Sequence, residues 1–208
     1  MNVNVTKESI ARRAAREIFA KSIVNFGFGI PTLIAKYVII DDVIFYGENG
    51  IVGYGPPTEV KDYNLIDGGT NWAGSKQGMC FLDSAQSFGI VRGGHLDISF
   101  LGGLQVSEKG DLANWSRGKG NAGIGGGCCM ATCAKKVIVV MEHTDKQGSP
   151  KIVKNCFFPL TAPKCVDVIV TEMGVFDVVE GGIKIRELAD KIRIEDVIKK
   201  TGVDLIGC

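Results

Sequence analysis

The chain has 208 residues, of which 45% are hydrophobic and 23% charged, and its formal net charge is +1 at pH 7. This length suits one domain with a substantial core, and the composition is that of a folded globular protein rather than a disordered one. A nearly neutral chain gives no electrostatic reason to expect nucleic acid or an anionic membrane as a partner. Because the apolar runs are strand-sized and the first residues lack a signal-peptide pattern, we expect one cytoplasmic domain over residues 1–208.

The first half of the chain alternates helical and strand-like patterns. Thr6 can cap a helix whose apolar residues Ile10, Ala14 and Ile18 recur every fourth position. Pro31 suits the first turn of a second helix, over residues 32–37. The patterns that follow predict strands over residues 43–46, 79–82 and 95–101, and a short helix over residues 85–91.

The second half begins with a loop-like, glycine-rich stretch over residues 102–127. Residues 136–141 are apolar throughout, as expected for a strand covered on both faces, and residues 166–171 and 175–178 also have strand patterns. Residues 185–200 have helical periodicity. The alternation of strands and helices predicts an α/β fold, with an open, mostly parallel sheet flanked by helices.

Glycine and cysteine are the two residue types that most restrict the function. The 28 glycines are clustered, which indicates tight backbone that a ligand can approach closely. Seven cysteines in a chain without an export signal predict reduced thiols, several of them buried. No C-x-x-C pair occurs, and His95 and His143 are the only histidines, so the sequence predicts no metal site.

The first candidate for chemistry is Glu48, in the turn Gly47-Glu48-Asn49-Gly50 after an apolar strand. A carboxylate in such a turn most often only forms local hydrogen bonds. Two features favour a functional role: ligands bind at the carboxyl ends of strands in open α/β sheets, and the flanking glycines leave room for a substrate. A carboxylate in this place can act as a base or as a nucleophile.

A second candidate is the glycine run over residues 118–127. Gly118, Gly120 and Gly123 formally match the dinucleotide-binding pattern G-x-G-x-x-G, but no good strand precedes them. A Rossmann site is therefore disfavoured. A nest of backbone N–H groups at a helix start remains open, because such donors can hold an oxyanion or a phosphate.

Two short polar stretches remain ambiguous. His95 and Asp97 would lie on one face of a strand, and His143 follows Glu142 at the end of another. A satisfied structural hydrogen bond explains each at least as well as catalysis does. The chain contains neither the P-loop motif nor the G-x-S-x-G motif, which excludes P-loop NTPases and α/β-hydrolases.

Seven stretches, taken together and in this order, resemble the B (β) subunits of class I CoA-transferases of the 3-oxoacid type. No single stretch is specific, but together they extend over nearly the whole chain. They are VNFGFGIP (24–31), GENGIVGYGP (47–56), SFGIVRGGHLD (87–97), LGGLQVSEKGDLANW (101–115), GIGGG (123–127), VMEHT (140–144) and FPLT (158–161).

The resemblance implies a fold of the NagB/RpiA-like CoA-transferase type and a role for each candidate. Glu48 would be the nucleophile that forms an acyl-glutamyl anhydride and then a glutamyl-CoA thioester. Gly126 and Gly127 would supply backbone amides to the oxyanion, and Asn25 would contact the substrate near the glutamate. No cofactor is implied, since the coenzyme A thioester is itself the substrate. A carboxylate nucleophile is ionised near pH 7, so no histidine base is required.

The resemblance also implies a partner and a substrate class. The partner would be a separate A (α) subunit, in an A₂B₂ heterotetramer, and the substrates a short-chain acid pair such as acetoacetate with acetate, butyrate or succinate. Departures from the family pattern at Thr70, Cys128 and Cys129 leave the acids undefined. Two alternatives remain: an acyl-CoA hydrolase that uses the same glutamate, and a non-catalytic ligand-binding module of this fold.

Overall fold

The computed structural model describes residues 3–59, 61–118 and 123–207. Within these ranges the chain forms five α-helices, and the first two continue into a 3₁₀ turn. The helices are α1 (Val3–Ala14, continued by Ala15–Glu17), α2 (Ile30–Leu33, continued by Ile34–Tyr37), α3 (Ser84–Arg92), α4 (Gly127–Cys133) and α5 (Ile194–Lys200).

Thirteen strands lie in the described part of the chain. The first seven are β1 (Ile23–Phe26), β2 (Ile44–Tyr46), β3 (Ile51–Tyr54), β4 (Cys80–Phe81), β5 (Ile98–Gly102), β6 (Gln105–Ser107) and β7 (Leu112–Ala113). The other six are β8 (Lys136–Val140), β9 (Ile152–Val153), β10 (Val168–Thr171), β11 (Gly174–Val179), β12 (Gly182–Leu188) and β13 (Leu205–Ile206).

Ten of these strands form one sheet in the order β13-β12-β11-β10-β8-β5-β1-β2-β3-β4, and the other three form a small sheet in the order β7-β6-β9. The centre of the large sheet, from β10 through β8, β5 and β1 to β2, is parallel. Antiparallel pairs flank the centre on both sides. The open, mostly parallel sheet predicted from the sequence is therefore confirmed.

Helices cover both faces of the large sheet, as its apolar central strands require. One buried cluster joins Ile10 of α1 to Phe26, Phe45 and Phe100 on the sheet. The ring of Phe26 lies 5.0 Å from that of Phe45 and 5.8 Å from that of Phe100. A second cluster, on the opposite face, packs α3 and α4 against the sheet through residues such as Met130. The parallel strands thus have buried side chains on both faces.

Most predicted elements are confirmed with small shifts at their ends, but three features differ. Helix α1 begins at Val3, so Thr6 lies inside it and is not its cap. Strand β1 was not predicted, because its short run ends in the glycine-rich segment that follows. The helix predicted over residues 185–200 is wrong in its first part, where β12 alternates Ile183 and Ile185 with Lys184 and pairs with β11.

Candidate active site

The parallel pairing of β1 with both of its neighbours places Asn25 next to the turn that carries Glu48. In the register of the sheet, Asn25 lies opposite Tyr46 on β2 and Ser99 on β5. Its side-chain amide donates to the Tyr46 carbonyl at 3.1 Å and accepts from the Ser99 hydroxyl at 3.4 Å. Asn25 therefore fixes the end of β2, immediately before the glutamate.

The turn after β2 is closed by its own backbone. The Gly47 N–H donates to the Ile51 carbonyl at 2.8 Å, and the Gly50 N–H donates to the Gly47 carbonyl at 2.9 Å. Gly50 has φ +100°, and a Cβ there would collide with the Leu82 carbonyl, so the position requires glycine. The Asn49 side chain ties the turn to the Ile66 carbonyl at 2.7 Å. The sequence therefore makes a rigid turn.

The Glu48 side chain projects from this turn into a cleft of about 270 Å³. Burial raises the pKa of the half-buried Glu48 carboxyl. None of the described residues hydrogen-bonds its carboxylate or forms an ion pair with it. A desolvated carboxylate without a partner is more reactive than one held by a cation, because less stabilisation is lost when it attacks an electrophile.

Gly126 and Gly127 lie beside this carboxylate at the start of α4. A Cβ on Gly126 would be 2.8 Å from Oε2 of Glu48, so the carboxylate touches the glycine backbone closely. The N–H groups of Gly126 and Gly127 donate to no acceptor in the described part of the chain, as is normal in a first helical turn. Free N–H groups next to a nucleophile are suited to hold an oxyanion.

The cleft is thus lined by all four predicted site residues: Asn25, Glu48, Gly126 and Gly127. It is also lined by Phe28, Leu101, Asn114 and Trp115, among others, which had no predicted role. Asn114 donates to the Gly102 carbonyl at 3.1 Å, and Trp115 donates to the Leu160 carbonyl at 3.1 Å, so both are held in place. A polar-aromatic pair within a glycine-rich loop was the available signal for them.

The dinucleotide pattern is divided by the structure. Gly123 lines the cleft, whereas the Gly118 N–H donates to the Ser116 hydroxyl at 3.0 Å. Gly120 lies outside the described residues. The preceding strand β7 has two residues and belongs to the small sheet, so the strand–glycine–helix arrangement of a Rossmann site is not formed there.

The histidines and Asp97 have the structural contacts that were one of the two interpretations. His143 is fully buried, with its ring nitrogens 3.0 Å from the Thr171 hydroxyl and 2.9 Å from the Thr201 hydroxyl. Asp97 accepts from the Ile23 N–H at 2.8 Å. His95 is exposed. None of the three lines the cleft that contains Glu48.

The six described cysteines are free thiols. The expectation of several buried cysteines is wrong, because Cys80 is exposed and the other five are half-buried. Burial raises the pKa of Cys156 to about 11 and that of Cys165 to about 12, so these two thiols stay protonated. Cys208 lies outside the described residues. Over the described ranges, no three metal-binding side chains come together.

Sequence comparisons give the chain its family. Residues 7–200 match the family model described as Coenzyme A transferase. The chain is 42% identical over 207 residues to the B (β) chain of the 3-oxoadipate CoA-transferase of Acinetobacter baylyi, an alignment that covers 97% of this chain and 95% of that one. It is 43% identical over 205 residues to the beta chain of the acetate CoA-transferase of Haemophilus influenzae, covering 96% and 91%.

Solved structures share the fold at lower identity. An acyl-CoA transferase from Escherichia coli O157:H7 superposes with a TM-score of 0.78 at 22% identity, covering 96% of this chain and 41% of that longer one. Glutaconate coenzyme A-transferase from Acidaminococcus fermentans has a TM-score of 0.74 at 22% identity, covering 96% and 85%. The decarboxylase AibA/AibB reaches 0.73 at 15% identity, covering 96% and 84%, so the fold alone does not define the reaction.

The sheet and its flanking helices define an α/β protein with the fold of the CoA-transferases. The chain belongs to the coenzyme A transferase family and is a CoA-transferase chain of the β-subunit type. No helix in the described ranges is long and apolar enough to cross a membrane.

Proposed function

We propose that this chain moves coenzyme A from a short-chain acyl-CoA to a carboxylic or 3-oxo acid, through a thioester on Glu48. The observation that carries the proposal is the position of the Glu48 carboxylate. It is desolvated, lacks a hydrogen-bond donor among the described residues, and lies against Gly126 in a cleft that Asn25 also lines. Glu48 is the one carboxylate among the described residues that line this cleft.

The proposed reaction begins with attack of a Glu48 oxygen on the donor thioester carbonyl. The C–S bond breaks, which gives an acyl-glutamyl anhydride and coenzyme A thiolate. The thiolate then attacks the glutamyl carbonyl, releases the donor acid as its carboxylate and leaves a glutamyl-CoA thioester. The acceptor carboxylate reverses these steps. Two acids therefore exchange one coenzyme A with ping-pong kinetics.

The backbone of α4 supports the two attacks in this scheme. Each attack places negative charge on a carbonyl oxygen, and the free N–H groups of Gly126 and Gly127 are the donors nearest to Glu48 that can stabilise it. One such donor is typically worth about 2.7–4 kcal/mol in acyl transfer. Desolvation also supports the scheme, since the carboxylate gives up little solvation energy as it attacks.

The wider proposal concerns the assembly and the substrates. Relatives with 42–43% identity are named as B or beta chains of two-chain enzymes, which supports a separate A (α) subunit as the partner. We propose an A₂B₂ heterotetramer in the cytoplasm, built on a single domain over residues 1–208, without a cofactor. One relative is named for 3-oxoadipate, another for acetate and a third for succinyl-CoA with a 3-keto acid. We favour acetoacetate with acetate, butyrate or succinate.

The test is to trap the thioester. The chain is co-expressed with its α-type partner, and the complex is incubated with acetoacetyl-CoA in the absence of an acceptor acid. Borohydride then reduces any glutamyl-CoA thioester to the alcohol, and peptide mass spectrometry locates the modified residue. We expect the modification at Glu48, and we expect it to disappear when acetate is added before the borohydride.

Three results would contradict the proposal in different ways. Transfer to acetate without any modification at Glu48 would exclude the covalent mechanism. Loss of acyl-CoA at the same rate with and without acetate would indicate a hydrolase. A folded complex that binds acyl-CoA and turns over none of it would indicate a ligand-binding module.

A further inference from the structure

A chain of hydrogen bonds runs from helix α3 to the backbone of Glu48. The Tyr46 hydroxyl donates to the Ser87 carbonyl at 2.7 Å and is also in contact with the Ser87 hydroxyl. The Ser87 hydroxyl donates to the Glu48 carbonyl at 3.1 Å. Tyr46 and Ser87 have no exposed surface, so water does not compete for these bonds.

The direction of this chain follows from the number of protons. Burial raises the pKa of Tyr46, so its hydroxyl keeps its one proton and donates it toward Ser87. The Ser87 hydroxyl also has one proton, and the Glu48 carbonyl can only accept. Both donors therefore point toward the turn, and Ser87 is the side chain that holds the Glu48 backbone from α3.

The same helix also contacts the glycines on the other side of the carboxylate. A Cβ on Gly126 would lie 3.0 Å from the ring of Phe88, the residue after Ser87. The Arg92 guanidinium lies 5.8 Å from the centre of the Phe88 ring and 3.8 Å from the Cys129 sulfur on α4. Helix α3 thus contacts both the Glu48 turn and the start of α4.

The backbone matters here because the carboxylate itself is not held. No described donor fixes its oxygens, so their position depends on where the Glu48 backbone is anchored and on the close packing of Gly68 and Gly126 around the side chain. Resting on the proposed role of Glu48, we propose that Ser87 is a positioning residue for the CoA-transferase reaction. Its hydroxyl fixes the Glu48 turn so that the carboxylate stays beside the amides of α4.

The first test is Ser87→Ala in the complex with the α subunit. The variant should fold, because the Tyr46 hydroxyl still has the carbonyl of residue 87 as its acceptor. We expect the Glu48 thioester to form about 10- to 100-fold more slowly, as is typical when a reacting group is misplaced. Tyr46→Phe leaves the bond from Ser87 to Glu48 in place, so its loss of rate should be smaller.

The matched control is Ser22→Ala. Ser22 is also fully buried, and its hydroxyl donates to the Phe19 carbonyl at 2.6 Å, but it precedes β1 at the end of the strand away from the cleft. The same chemical change there should lower stability by a similar amount and leave the rate of thioester formation unchanged. If both variants slow the reaction equally, Ser87 acts only through stability and the proposal is wrong.

A second readout is independent of turnover. Burial is the cause of the raised pKa of Glu48, without a contribution from a charged neighbour. A turn released by Ser87→Ala should admit water and lower that pKa, whereas Ser22→Ala should not change it. Carbon-13 NMR of labelled glutamate, assigned with Glu48→Gln, measures the titration. A wild-type complex that forms no thioester would reject the proposed function, while an unchanged Glu48 pKa in Ser87→Ala would reject the positioning role.

Discussion

Glu17 and Glu48 are both half-buried glutamates, and their surroundings are opposite. Glu17 accepts hydrogen bonds from Arg13, Lys136 and Arg186, at distances between 2.9 and 3.1 Å. Although burial opposes it, this pairing lowers the pKa of Glu17 to about 2. Glu48 has no cation in contact, and burial raises its pKa. One chain therefore contains a fully neutralised carboxylate and an unneutralised one.

The difference shows what each carboxylate can do. Glu17 connects the end of α1 to β8 through Lys136 and to β12 through Arg186, so its charge holds a helix to the sheet. A carboxylate held by three cations is a poor nucleophile, because its negative charge is already stabilised. Glu48 is held only through its backbone, and its oxygens are free. The free carboxylate lies at the carboxyl end of the central strands, where ligands bind in this type of sheet.

Glu48→Gln should have the largest effect on activity. The amide has nearly the same shape but is not a nucleophile, so we expect transfer between acetoacetyl-CoA and acetate to fall by at least about 10⁴-fold. Unfolding by urea should need the same or a higher concentration, because the substitution removes an unpaired carboxylate from a desolvated position. A variant that keeps even one tenth of the wild-type rate is incompatible with covalent catalysis by Glu48.

Gly126→Ala should have the next largest effect. The added Cβ would lie 2.8 Å from a Glu48 oxygen and 3.0 Å from the Phe88 ring, so the carboxylate must move although the backbone amide remains. We expect kcat to fall by about 10²–10³-fold. Gly89→Ala is the control, since its Cβ meets nothing within 4 Å in helix α3. It should keep full activity and gain about 0.5–1 kcal/mol of stability.

Glu17→Gln should reverse the pattern seen for Glu48→Gln. The amide leaves three cations without their shared carboxylate, so we expect the free energy of unfolding to fall by about 1–3 kcal/mol. Transfer activity per folded complex should stay the same. Asp196→Asn, which breaks an exposed pair with Arg193, should leave the urea midpoint unchanged. A loss of activity in Glu17→Gln at full folding would show that the two carboxylates are not independent.

The sequence predicted the sheet better than its edges. The apolar runs of β8 and β10 and the turn after β2 were visible, because a strand buried on both faces and a glycine turn both have local signatures. Strand β1 had no such signature, since its polar Asn25 is justified only by Tyr46 and Ser99 on neighbouring strands. Tertiary partners of this kind cannot be read from a local pattern.

The site shows the same division. Glu48 was detectable as a carboxylate between glycines, and the glycine run as a possible nest of N–H groups. That the two meet depends on α3 and α4 packing on the same face of the sheet, which no local pattern shows. The role of Ser87 was hidden for the same reason: a serine in a helix has no special signal, and its hydroxyl matters only because the Glu48 carbonyl lies 3.1 Å away.

The smallest expected effect concerns His143, whose environment resembles that of Glu48 in being desolvated. Burial, together with the charges of Lys200 and Lys151, lowers the pKa of His143 from 6.5 to about 4. The folded chain therefore keeps His143 neutral where the unfolded chain protonates it. Stability from this residue is fully present above pH 6.5 and is lost as the pH falls toward 4. The slope should approach about 1.4 kcal/mol per pH unit.

Glu17 should act in a lower pH range, which separates the two contributions. Its folded pKa is about 2 against an ordinary value of 4.5, so its contribution is present above pH 4.5 and is lost below it. His143→Gln should flatten the dependence of urea stability on pH between 6.5 and 4 and leave the range below unchanged, whereas Glu17→Gln should do the reverse. If His143→Gln keeps the wild-type slope above pH 4.5, another group takes up the proton, and the paired threonines Thr171 and Thr201 do not hold a neutral imidazole.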